Sequence, residues 1–207
     1  MTRARLPASL AAAMMLTLAM SSLAHAQAQS TGVYTLNQAA SVIDFSIYGS
    51  AIFKIKRDGQ FKQFSGQLSY DPASPVNTDV DLTVYTGSVD MHNSEQEQLL
   101  KSGEFFDVER FPTMHFKSSS TELKPDGTLS MIGDMTIRGI TQRLTIPVRL
   151  RQAPAAGAVF ETTFQIDRTA FGLNGIGKWN GLKVSISKTV QVHIAIATAP
   201  TTSQPAR

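Results

Sequence analysis

The chain has 207 residues, with 19 Lys and Arg against 16 Asp and Glu, 11 Phe and no Cys. That length suits one domain with a single core. The absence of cysteine excludes disulfides, thiol nucleophiles and thiolate metal sites, so the core alone must stabilise the fold.

Arg3 and Arg5 begin the chain, Leu10–Met20 is an apolar run, and Ala24-His25-Ala26 offers a small-x-small cleavage site. This is the plan of a secretory signal peptide over residues 1–26, followed by a short leader over 27–32. The apolar run is well short of the roughly 20 residues that cross a bilayer, and no later segment approaches that length. Removing residues 1–26 takes away two bases and no acid, leaving 17 bases against 16 acids. No basic patch for nucleic acid survives. The expected location is the bacterial periplasm, with no integral membrane span.

The remaining chain alternates with the period of a β-strand. Ile43, Phe45 and Ile47 alternate with Asp44, Ser46 and Tyr48, and Val80, Leu82 and Val84 with Asp81, Thr83 and Tyr85. Phe160, Thr162, Phe164 and Ile166 share one parity, as do Leu182, Val184, Ile186, Val190, Val192, Ile194 and Ile196. Strands are predicted over about 40–48, 50–57, 60–70, 79–90, 113–123, 128–138, 142–151, 157–168 and 181–197. Asp58-Gly59 reads as the tip of a tight hairpin, Pro125-Asp126-Gly127 as a turn, and Asn180-Gly181 as the opening of a long final strand. Only Asn93–Gly103 is helical in pattern, with Asn93 or Ser94 as cap, Glu95 and Glu97 at its positive end, and Gly103 as stop. Residues 199–207 read as a flexible tail.

One-faced antiparallel strands bury their apolar faces either in a two-sheet sandwich or in a closed barrel, and the alternation does not choose between them. The predicted helix feeds into Phe105, Phe106, Phe111 and Phe116, four of the 11 Phe within twelve positions. No single period links these rings. Either they fill core between helix and sheet, or they close the mouth of a cavity.

The residues supply no convincing catalytic set. His92, His115 and His193 lack metal-ligand spacing, and there is no Gly-x-Ser-x-Gly elbow. The glycine-rich stretch 172–181 has Trp179 where a phosphate loop needs Ser or Thr. Glu104, Asp107 and Glu109 lie among the Phe residues, where desolvation would raise a carboxyl pKa. They are the candidates if the chain is a hydrolase acting on a small amphiphile.

Four stretches in order, FKQFSGQLSYDP (61–72), LLKSGEFFDVERFPTMHFKS (99–118), GDMTIRGITQRLTIPV (133–148) and IDRTAFGL (166–173), resemble the YceI-like family over about residues 33–198. The resemblance implies an all-β, extended lipocalin-like antiparallel barrel of about eight strands, with one short helix near one end. It implies an apolar tunnel holding an isoprenoid, such as a quinone or polyprenyl chain, or a fatty-acid-like amphiphile. It also implies periplasmic members, often homodimers, that are not enzymes. A barrel carrying out stress or interaction roles with an incidental cavity is the remaining reading. Phe105, Phe106 and Phe111 match the family's aromatic motif. Gly133, Asp134, Thr136, Gly139 and Thr141 match its strand-turn-strand motif, and Arg168 and Phe171-Gly172 its late motif. Tyr48-Gly49 stands where many members carry a histidine.

The expected tunnel wall comprises Ile43, Phe45, Ile47, Phe53, Val84, Phe105, Phe106, Phe111, Phe116, Phe164, Trp179, Val184 and Ile186. No metal or catalytic residue and no cofactor other than the bound lipid is expected.

Overall fold

The computed structural model describes residues 32–50, 54–71, 73–152, 158–179 and 182–200. The expected leader, Phe53, the Asn180-Gly181 turn and residues 201–207 lie outside the described residues. The strands are β1 (Gly32–Leu36), β2 (Val42–Ser50), β3 (Lys54–Phe61), β4 (Phe64–Tyr70), β5 (Asp79–Tyr85), β6 (Val89–Asp90), β7 (Thr113–Leu123), β8 (Leu129–Ile137), β9 (Ile140–Gln152), β10 (Val159–Asp167), β11 (Gly177–Trp179), β12 (Leu182–Ile186) and β13 (Thr189–Pro200). The helix α1 spans Ser94–Lys101.

Several of these are halves of longer strands. β1 and β2 lie end to end, broken by a 3₁₀ turn at Gln38–Ala40, and run antiparallel to β4 and β3 in turn. β5 and β6 are separated only by the turn Thr86–Ser88 and pair with β4 and β3. β12 and β13 both pair with β2. The result is a closed antiparallel barrel of eight strand positions, shut where β1 pairs with β13 through Tyr34–Pro200 and Leu36–Thr198. The final strand therefore reaches Pro200, two residues into the expected tail.

The breaks line up across the sheet as one crease. Asn37 N–H donates to Ala197 O at 2.9 Å, Gln38 Nε2 to Lys62 O at 2.8 Å, and Lys62 N–H to Ser88 O at 3.1 Å. Backbone groups released by each bend are thus paired by its neighbour. The crease accompanies a division of the interior. One apolar cluster centres on Phe45, Phe61, Phe105 and Phe106, the other on Tyr70, Phe116, Met131 and Phe160.

The expected hairpin at Asp58-Gly59 is corrected. β3 runs straight through it, with Phe45 opposite Gly59 and Ser46 opposite Asp58. Gly59 does not have a positive φ. A Cβ there would sit 2.5 Å from Phe45 Cζ, so glycine serves close approach to an aromatic ring. The Pro125-Asp126-Gly127 turn is found as expected, with Gly127 at φ 79° and Asp126 Oδ1 accepting from Thr128 N–H at 3.0 Å. Asn93 caps α1 by accepting from Gln96 N–H at 3.0 Å, with Glu95 and Glu97 in the first turn. The helix ends at Lys101, before Gly103.

One ladder is incomplete. β10 is paired with β13 from Val159 to Asp167, and β9 with β8 from Ile140 to Val148. Between β9 and β10, however, only Val159–Gln152, Phe160–Leu150 and Glu161–Arg149 are in register. From Thr162 onward the two strands form a seam, crossed lower down by Gln142 Nε2 donating to Ala170 O at 3.2 Å.

Gly59→Ala should therefore destabilise the protein by about 1–3 kcal/mol through overpacking. Gly103→Ala, where a Cβ would meet nothing within 4 Å, should cost little. Urea unfolding of both variants checks this; equal midpoints would contradict the close-approach role.

Candidate ligand-binding cavity

The inward parity of the strands does not fill the barrel completely. A chamber of about 110 Å3 lies beneath α1, and a second of about 70 Å3 lies deeper, toward the other end. Leu82, Phe116, Met135, Phe164 and Ile194 border both and form the constriction between them. The surface facing the larger chamber is apolar throughout, even where Asp44, His115 and Arg168 contribute to its wall.

The irregular Phe segment now has a structural cause. After α1 the chain folds back over its own helix end, with Phe106 N–H donating to Leu100 O (2.9 Å) and Val108 N–H to Lys101 O (3.1 Å). Asp107 makes the reversal at φ 50°. A turn of this kind lets two consecutive side chains face inward, which neither strand nor helix allows. Phe105 is 3% and Phe106 9% exposed, and both border the larger chamber. The Phe106 ring meets Phe61 edge-on at 5.7 Å, and Phe61 lies 5.4 Å from Phe45. Phe105 packs directly over the backbone of Gly175.

Of the expected wall, Ile43, Phe45, Ile47, Val84, Phe105, Phe106, Phe116, Phe164 and Ile186 border the larger chamber. Two expectations are corrected. Phe111 lies against Gly139 in the β8–β9 turn, 3.0 Å from where a Cβ would be, beneath the Arg110 guanidinium at 5.3 Å. Its carbonyl oxygen accepts from the buried Thr86 Oγ1 at 2.8 Å. Val184 packs toward Gly177 in the β11–β12 hairpin and borders neither chamber. Phe53 and the Trp179 side chain lie outside what is described. Phe61, Met114, Met135 and Leu173 also border the chamber; nothing in the residue types separates a tunnel wall from core.

Two arginines fasten the closed end. Arg168 is only 7% exposed and has no ion pair among the described residues. Its Nε donates to Ser187 O (2.9 Å), Nη2 to Ile186 O (3.2 Å) and Nη1 to Leu173 O. Burial pulls the guanidinium below its usual pKa, with neighbouring Asp167 opposing. Its Cζ lies 5.9 Å above the Phe105 ring. Arg138, in the left-handed region at φ 52°, donates to Gly172 O (2.9 Å) and Gly103 O (2.6 Å), tying the β8–β9 turn to both segments that cover the chamber.

The three candidate carboxylates lie elsewhere. Glu104 and Glu109 are exposed, and Asp107 faces Arg110 at 3.4 Å; none borders either chamber. His115 Nε2 pairs with Asp81 at 2.7 Å on the outer surface, and this partner holds the Asp81 carboxyl below its ordinary range. No group of three or more His, Cys, Asp or Glu among the described residues is arranged to hold a metal ion.

Val84→Asp would bury an unpaired carboxylate in the chamber wall and should unfold the protein. Thr83→Asp on the outer face should shift stability by less than about 0.5 kcal/mol. Arg168→Lys cannot span three carbonyls from one fork, and should cost about 2–4 kcal/mol in urea unfolding. A wild-type midpoint for Val84→Asp would contradict the assigned inward face.

The comparisons agree with this architecture. Residues 34–198 match the YceI-like domain. A UPF0312 protein of Vibrio cholerae is 31% identical over 156 residues, which is 70% of this chain and 82% of that protein. A UPF0312 protein of Vibrio vulnificus is 34% identical over 120 residues, 55% of this chain; the match spans 64% of that relative's length. Among solved structures, BcnA of Burkholderia cenocepacia superposes with a TM-score of 0.68 at 24% identity, covering 78% of this chain and 98% of BcnA. A polyisoprenoid-binding domain from Saccharophagus degradans gives 0.65 at 13% identity, covering 83% and 100%. With a domain match over most of its length and the same eight-strand barrel, the chain belongs to the YceI-like family.

Proposed function

We propose that this protein binds and carries a long-chain isoprenoid, such as a quinone or polyprenyl chain, within its barrel, and does so in the periplasm. The observation that carries this reading is the apolar interior, unfilled at two adjoining chambers and closed by aromatic side chains. The polyisoprenoid-binding domain with the same fold supports the ligand class, and the signal-peptide pattern of residues 1–26 supports the location.

Burial of hydrocarbon stabilises a complex by about 0.8 kcal/mol per CH2, so a chain needs no charged contact to be held. A dry cavity of about 150 Å3 takes up a benzene-sized molecule. A longer chain is accommodated by moving Met114 and Met135, whose unbranched side chains repack readily. Catalysis by Glu104, Asp107 or Glu109 draws no support from their placement.

Organic extraction of the purified protein followed by mass spectrometry should recover a prenyl lipid in near-stoichiometric amount. Ile47→Phe, which fills the larger chamber, should remain folded yet lose most of that lipid. Extracts without lipid, together with no rise in melting temperature when prenyl lipids are added back, would contradict the proposal.

A further inference from the structure

Thr162 is the one polar side chain on an otherwise apolar inward row of β10, between Phe160 and Phe164. It is 9% exposed, and its Oγ1 finds no hydrogen-bond partner among the described residues. A buried hydroxyl without a partner is costly, by roughly as much as a lost hydrogen bond. Such a group calls for a reason. Its position supplies one.

Thr162 borders the deeper apolar chamber. It also borders a polar surface groove of about 640 Å3, and no other described residue borders both. The β9–β10 ladder stops at Glu161–Arg149, immediately before Thr162, so no backbone pairing seals the sheet between chamber and groove at this residue. On the β9 side the groove has Pro147, which has no N–H to donate across the seam. Lys124, Arg149 and Arg151 stand around the groove with Asp126 and Glu161. The ion pairs among these groups, Arg149–Asp126 at 3.7 Å and Arg151–Glu161, lie at the surface, where such pairs are weak and exchange readily.

We infer that the β9–β10 seam is the head-group subsite: the oxygen that terminates the ligand's apolar chain hydrogen-bonds Thr162 Oγ1, and the head group lies outside, between Arg149 and Arg151. The inference rests on the lipid-binding reading above and narrows it to oxygen-terminated chains, a prenyl alcohol or a prenyl phosphate, entering through the barrel wall. A hydroxyl both donates and accepts, so Thr162 serves an alcohol oxygen or an ester oxygen. The tail occupies the deeper chamber and continues past Phe116 and Met135 toward α1. A pure hydrocarbon would leave the hydroxyl unpaired.

Calorimetry with farnesol, farnesyl phosphate and the head-free hydrocarbon farnesene tests this on the full-length protein. Wild type should bind the two oxygenated chains about tenfold more tightly than farnesene, the worth of one buried hydrogen bond. Thr162→Val should remove that margin while leaving farnesene affinity unchanged. It should melt, without ligand, at or above the wild-type temperature, because an unpartnered hydroxyl has been removed. Thr162→Ser should keep the margin. Arg149→Gln should weaken farnesyl phosphate while leaving farnesol unchanged; undiminished farnesyl phosphate affinity in that variant would overturn the placement of the head group between Arg149 and Arg151. Equal affinity for all three chains, an unaltered margin in Thr162→Val, or a ligand-free melting temperature several degrees lower in that variant would overturn the inference while leaving lipid binding standing. Failure of wild type to bind any of the three would instead remove the lipid-binding reading on which it rests.

Discussion

The ladder between β1 and β13 carries the architecture. Tyr34–Pro200, Thr35–Ala199 and Leu36–Thr198 join the first described strand to the last, and Ser41 Oγ donates to Asn37 O just below them. Opened along this ladder and the β2–β13 pairing that continues it, the sheet would have two free edges and an apolar face exposed to water. Closed, it makes a ring of eight strands, whose interior is wide enough for side chains or for one small ligand. Everything inside follows from that limit. Side chains of one parity nearly fill the ring, and the space left over is two small chambers rather than a channel.

The end beneath α1 and the wall at the seam are closed by different physics. Beneath α1 the closure is aromatic and pinned by guanidinium hydrogen bonds from Arg168 and Arg138 to main-chain carbonyls around it. A buried guanidinium without a carboxylate is expensive to desolvate; here carbonyl oxygens and the Phe105 face compensate it. At the seam the closure rests on side chains alone, because β9 and β10 share no ladder beyond Glu161. Of the two, the seam is the less firmly bonded wall.

Much of this was legible in the alternation. Phe45, Val84, Phe164 and Ile186 all border the larger chamber, and the polar parity lies outside. What the pattern could not give was closure, since a sandwich and a barrel bury the same parity; the family resemblance decided that expectation. Asp58-Gly59 misled because glycine answers two demands, positive φ and close approach, and the dipeptide does not say which. Phe111 misled for a related reason. Its neighbours Phe105 and Phe106 turn inward on the reversal at Asp107, whereas Phe111 lies beyond that reversal, against Gly139. Thr162 stood in plain view on an apolar row, but only the interrupted ladder beside it gives the hydroxyl a meaning.

The proposed lipid chain lies in the barrel interior rather than on its surface. Met114 and Met135 border the larger chamber, and each carries a terminal methyl group that reports its surroundings. In protein labelled with 13C at the methionine methyls, adding a prenyl lipid should shift both signals and give intermolecular Overhauser contacts to the prenyl protons. Lipid-bound protein in which the Met114 and Met135 methyls neither shift nor contact the chain would contradict the account.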